Sequence, residues 1–217
     1  KVRYTNENSG YRTGCLLSAL SLRWSVTADE AARERAGQVA SALEMLETIT
    51  GVPGMTCRQY KRMSGPGDDE NDWLRDYWRQ AGEYRWLGNV STDEMTWYLT
   101  GLGDYVMLCA EEEERRRASA TIRRVVGRML DHGMRITEAD GSTADWGDCS
   151  LESAGEPLFC LHGLHYLKIA ELCAFGERFA DAYERYVSDQ RYFDQAVHCY
   201  ALGASAHTWA RYDWQLA

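Results

Sequence analysis

Proline is the residue this chain most nearly does without: three occur in 217 positions, Pro53, Pro66 and Pro157, each beside a glycine or an acidic residue. A proline inside a helix removes a hydrogen bond and clashes with the preceding turn. Its scarcity therefore permits long helices almost everywhere else. The apolar spacing uses that freedom. Leu16, Leu17, Leu20 and Trp24 follow the i, i+3, i+4 rule, so the spacing predicts a first helix over about 12–24. Thr27 and Glu30 read as a capping box for a second helix, in which Val39, Leu43, Leu46 and Ile49 share one face until Gly51 and Pro53 stop it. The short Ser25–Val26 link makes the two antiparallel neighbours.

The same pairing recurs further on. Ser91 with Glu94 offers another capping box, opening a helix through Tyr98, Leu102, Val106 and Cys109. Its partner starts near Arg116 and carries Ile122, Val125, Val126, Met129 and Leu130. The charged run Glu111–Arg117 reads as the solvated junction between them. After a tight turn at Asp140-Gly141, Pro157 suits the first turn of a helix bearing Leu158, Leu161, His165, Ile169 and Leu172. Shorter helices follow around 179–187, from about 190 to 202, and from Ala206. Between Gly54 and Val90 the chain reads as irregular, aromatic and glycine-rich, with the acidic loop Ser64–Asp72 inside it. No alternating β pattern competes, so the expected fold class is all-α, antiparallel helix hairpins in one domain spanning 1–217.

Charge narrows the partners. A formal net charge of -9 disfavours nucleic acid and anionic lipid, which select cationic faces. No apolar run reaches the roughly 20 residues of a bilayer crossing, so no membrane span is expected. The seven cysteines are scattered without a CxxC pair, which predicts reduced, mostly buried thiols. No glycine-rich phosphate loop precedes a helix and no nucleophile elbow is present, so no cofactor is expected. Cys160, His162 and His165 are zinc-type ligands at a spacing that matches no usual zinc pattern, and no metal site is expected from them.

Taken in order, Glu7-Asn8, Thr50–Gly54 followed by Arg58, Trp86–Glu94, Asp131-His132, Asp140–Thr143 with Trp146-Gly147, and Tyr212–Ala217 form a recognisable series. This series is similar to bacterial proteins of the six-hairpin (α/α) toroid superfamily, which includes glycoside hydrolases and polysaccharide lyases. The resemblance covers nearly the whole chain and implies a partial or incomplete toroid, with about four of six hairpins visible and more helix expected after Leu216. It implies architecture more directly than activity.

Sugar chemistry needs carboxylates for proton transfer and flat rings for the C–H faces of pyranoses. Asp93, at a helix N-terminus, is the first-choice carboxylate, with Asp145 or Asp148 as its partner; capping is the alternative role. For β-elimination from a uronic acid, Arg58, Asn89, Tyr60 and His132 supply the required charge neutralisation and proton removal, against structural roles as an ion pair and a helix C-terminal contact. Trp86, Trp97 and Trp146 are candidate platforms, with Trp86 and Trp146 expected to escape burial. The expected function is thus a carbohydrate-active enzyme cleaving a polysaccharide or oligosaccharide by hydrolysis or β-elimination. The alternatives are a non-catalytic glycan-binding or scaffold protein and a protein-interaction solenoid.

Overall fold

Helix α1 (Ser9–Thr27) ends where Ala28 turns left-handed at φ 53°, and α2 (Glu30–Thr48) begins one residue after its cap, Asp29. The Asp29 carboxylate accepts from the Ala31 N–H at 3.0 Å. The cap assigned to Thr27 is corrected accordingly: Thr27 lies inside α1 and donates to the Arg23 carbonyl four residues back. The link between the helices is Ala28-Asp29, not Ser25-Val26. The computed structural model describes residues 8–63, 76–152, 157–174, 176–194 and 197. Glu7, the Ser64–Asp72 loop, Trp73, Cys199, the helix expected from Ala206 and the Tyr212–Ala217 motif lie outside the described residues.

Helix α3 (Thr92–Leu108) packs on both α1 and α5 (Pro157–Ala174), while α2 and α4 (Glu112–Asp131) contact each other and α3 from the other side. Helix α6 (Glu177–Val187) joins α5 and reaches α4 through an Arg178–Asp131 ion pair. The helices therefore form two layers, with the core between them. Leu17, Leu43, Leu46, Met95, Leu99, Leu102, Ile122, Val125, Val126 and Tyr166 fill that core. The α1–α3 contact is close because of glycine. A Cβ at Gly14 would collide with the Trp97 carbonyl, and one at Gly101 with Gly14 itself. Backbones meet where side chains elsewhere hold helices 8–10 Å apart.

Between α2 and α4 a buried carboxylate sets the turn after α2. Glu47 accepts from Arg124 Nε and Nη2 at 2.8 and 2.9 Å and from the Gly54 N–H at 2.8 Å. Gly54 has φ +78° and sits against the Arg124 carbonyl, where a side chain would clash. The run Thr50–Gly54 is thereby explained as packing.

The expectation of an all-α chain is overturned by five strands in two antiparallel sheets. Strands β1 (Gln59–Arg62), β2 (Trp78–Ala81) and β3 (Tyr84–Leu87) pair in the order β1-β3-β2, so part of the stretch read as irregular is a sheet. The two-residue loop Gly82-Glu83, with Gly82 at φ +59°, joins β2 to β3. Strands β4 (Arg135–Thr137) and β5 (Thr143–Asp148) form a hairpin across the expected turn at Gly141, φ +85°. With these sheets in place, the described elements do not draw the partial toroid of helix hairpins that the motif series implied. The run Glu111–Arg117 is not a junction but the opening of α4, where Glu111 and Glu114 form the reciprocal capping box. Ser91 precedes α3 without a side-chain cap bond, and the Glu94 side chain is turned toward Arg58. Among the described residues no helix is long and apolar enough to cross a membrane.

Candidate functional site

The ends of α1 and α3 meet the two sheets around one residue, Asn89. It is fully buried, and its φ of +58° is a left-handed conformation that Asn accepts more readily than most side chains. Its amide Nδ2 donates to Asp145 Oδ2 and its Oδ1 accepts from the Asp145 N–H, both at 2.9 Å. Its own N–H donates to Glu138 Oε1 at 2.6 Å, and its carbonyl accepts from Arg58 Nε at 2.5 Å. Every polar group of Asn89 is thus engaged, tying the strand-to-helix link before α3 to the β4–β5 hairpin.

Arg58 extends the knot inward. Besides Asn89 it donates from Nη1 to Asn8 Oδ1 at 2.7 Å and approaches Glu94 Oε2 at 3.3 Å. Arg58 is 3% exposed and Glu94 1%. Glu94 also accepts from the Gly10 N–H at 3.2 Å, so this carboxylate reaches the first turn of α1. A buried guanidinium held by Asn89 and Asn8 and paired with Glu94 is a clamp rather than a receptor for a substrate carboxylate. Of the two roles weighed for Arg58, the geometry supports the structural one.

On the solvent side stands Asp145. Its Oδ2 accepts a second bond from the Tyr77 hydroxyl at 3.0 Å, and that bond, first among the causes, raises the Tyr77 pKa. Both bonds fall on Oδ2, and Oδ1 accepts none among the described residues. The hairpin register explains why Asp145 and Trp146 are both exposed. Arg135 pairs with Asp148 and Thr137 with Thr143, so two steps along β4 correspond to five along β5 (148 − 143), leaving three surplus residues. Such a bulge breaks the alternation that would send neighbours to opposite faces. Ala144 and Gly147 turn inward, while Asp145 and Trp146 both face solvent, the latter 51% exposed.

The remaining expected residues separate into groups. Asp93 is half-buried beside Glu94 at the start of α3, at the same end as Arg58, with no hydrogen bond or ion pair among the described residues. Trp97 stands one turn on, edge-to-face with Tyr11 at 5.7 Å. Trp86, expected at the surface, is 6% exposed and belongs to the core; on β3 it is registered opposite Tyr60 of β1. Tyr60 is half-buried, edge-on to Tyr84 at 6.1 Å, and burial raises its pKa. His132 is not brought to the rim: it ends α4, its Nδ1 2.8 Å from the Arg128 carbonyl. Asp148 pairs with Arg135 at 3.4 Å.

Glu138 and the Tyr77 hydroxyl join the site without a sequence motif of their own. The Asp140-Gly141 turn was the available signal for Glu138, since a hairpin there places positions 138 and 142 opposite each other, as the Glu138 N–H to Ser142 carbonyl bond confirms. No group of three potential metal ligands converges among the described residues. His162 is buried, 6.1 Å from the Phe159 ring and 6.4 Å from that of Tyr166, whereas His165 Nε2 lies 2.9 Å from Thr100 Oγ1. Comparisons with protein-family models, curated proteins and solved structures find no match to this chain.

Proposed function

We propose that the rim around Asp145 and Trp146 binds a glycan and cleaves it. The reading is carried by one observation: the β5 bulge exposes a tryptophan ring directly beside a carboxylate oriented by two donors, Asn89 and Tyr77. A flat ring packs on the apolar face of a pyranose, and an adjacent carboxylate accepts from hydroxyls or assists at the anomeric carbon. Asp93 supplies the second carboxylate at the same end of the helices. In hydrolysis one of the pair protonates the leaving oxygen while the other acts as base or nucleophile.

Between the two cleavage chemistries, hydrolysis is better supported. The Arg58 expected to neutralise a uronate is buried against Glu94, and His132 is held at the end of α4. The same burial lends weight to a second reading, a glycan-binding protein without catalysis. Incubation with a panel of neutral and acidic polysaccharides, followed by reducing-end and unsaturated-end assays, tests both. New reducing ends without unsaturation are expected, and are lost in Asp145→Ala and Asp93→Ala. Binding without cleavage selects the second reading. Absence of binding to every glycan sinks both.

A further inference from the structure

Helix α3 is buried at nearly every position from Thr92 to Val106. The four exceptions are Asp93, Trp97, Thr100 and Asp104, all half-buried. Their spacing, i, i+4, i+7 and i+11, places them in one lane along the helix. At 1.5 Å rise per residue the lane runs about 16 Å from the rim inward. Both neighbours in the layer border it. Tyr11 of α1 meets Trp97, Ser18 of α1 donates to Asp104 Oδ2, and His165 of α5 bonds Thr100.

The composition of this lane is unusual for either of its simple explanations. A packing face would be mostly apolar, as α3 is from Tyr98 to Val106 outside the lane; a plain solvent face would carry long, mobile Lys and Glu side chains. The lane instead holds two short carboxylates, a hydroxyl and an indole, three of them fixed by partners on adjacent helices. Short acceptors and donors held in place, interleaved with a flat ring, suit the hydroxyls and C–H faces of a sugar chain. Its titratable groups are two aspartates and His165, whose pKa burial and His162 depress to about 4, so the imidazole is neutral near pH 7. Lys168 of α5 is directed to α6 instead, over the Tyr183 ring and bonded to Glu171 at 2.9 Å. A uronate chain would meet carboxylates here; an uncharged one would meet matched hydrogen-bond partners.

We propose that the lane Asp93–Trp97–Thr100–Asp104 is an extended saccharide-binding surface, continuous with the rim, that takes an uncharged glycan chain lengthwise along α3. The proposal rests on the glycan reading of the rim and adds to it the direction, the length dependence and the charge of the ligand.

Calorimetric titration of the full chain with xylo- and cello-oligosaccharides, from disaccharide to hexasaccharide, and with oligogalacturonates of matched length tests it. Affinity for at least one uncharged series is expected to rise with length and to exceed that for oligogalacturonates. Asp104→Asn, nearly identical in shape, is expected to weaken the hexasaccharide about tenfold, the scale of one charge-assisted hydrogen bond, while leaving the disaccharide unchanged. Should that variant not fold, Thr100→Val reads the same length dependence. Affinity that does not grow with length, or a hexasaccharide indifferent to both substitutions, overturns the lane while the rim stands. Preference for oligogalacturonates overturns the charge assignment. Failure of every oligosaccharide and polysaccharide to bind removes the rim reading as well.

Discussion

Asn89 and Asp145, 56 residues apart, exchange two hydrogen bonds of 2.9 Å, one through side chains and one through the Asp145 backbone. This exchange joins a helix entry to a hairpin, and it demands a left-handed residue with an amide side chain. Asn89→Gly keeps the backbone conformation and loses the bonds; Asn89→Ala loses both. Each is expected to destabilise by about 2 kcal/mol or more from the bonds and the unsatisfied Asp145 N–H, with Ala costing about 1 kcal/mol beyond Gly for its left-handed φ. Urea unfolding midpoints measure the difference. Equal stability of the two variants would show that the conformation is not enforced.

Two tryptophans predicted alike from sequence should behave oppositely. Trp86→Ala removes a ring that is 6% exposed and is expected to cost about 3–5 kcal/mol of stability. Trp146→Ala removes one that is 51% exposed and should alter stability by no more than about 0.5 kcal/mol while abolishing glycan binding. Thermal melts paired with titration separate packing from recognition.

Gly14→Ala probes the close crossing of α1 and α3. Its Cβ would press on the Trp97 carbonyl, which is backbone and cannot rotate away. A loss of about 3 kcal/mol is expected, at the upper end for overpacking. A melting temperature within a degree or so of the parent would mean that the helices sit further apart.

His165 predicts a pH dependence with a definite sign. Burial, then the neighbouring His162, lowers its pKa from 6.5 to about 4. Between those values the unfolded chain binds a proton that the folded chain refuses, so stability falls as pH drops through the window, by up to on the order of 3 kcal/mol. Asp104 acts oppositely: burial raises its pKa above 3.8, so near and above that value its ionisation disfavours the folded state. His165→Gln should flatten the pH 6.5 to 4 limb of a stability curve. An unchanged slope would assign the limb to other groups.

The helices were legible because each offers three or four turns of apolar residues at 3.6 spacing, and α2, α4 and α6 show it plainly. Strands β1, β2 and β3 were not, because each is four residues long and sets charged or amide residues beside one or two aromatics. Four residues hold too few alternations to register as period two. The Gly82-Glu83 loop was the missed clue, being a glycine-led two-residue connection between aromatic segments. The caps follow geometry over motif: Thr27 and Ser91 fit the capping-box pattern, but Asp29 caps α2 through the Ala31 N–H and Glu94 pairs with Arg58. At the rim, Asp145, Asn89 and Arg58 were legible as polar residues in unusual settings. Their division into inner clamp and outer acceptor depends on contacts across 31 and 56 residues, which local pattern does not encode.

The surplus residues of β5 lie between two positions whose pairing to β4 is fixed, Thr143 and Asp148. Among the residues between them, Asp145 is held to Asn89 through its backbone and its side chain, whereas Trp146 is half exposed. The bulge tip is therefore a place where the protein can be re-specified without being refolded: a different side chain at Trp146, with Asp145 kept for Asn89, changes what the rim presents while the scaffold beneath is left untouched.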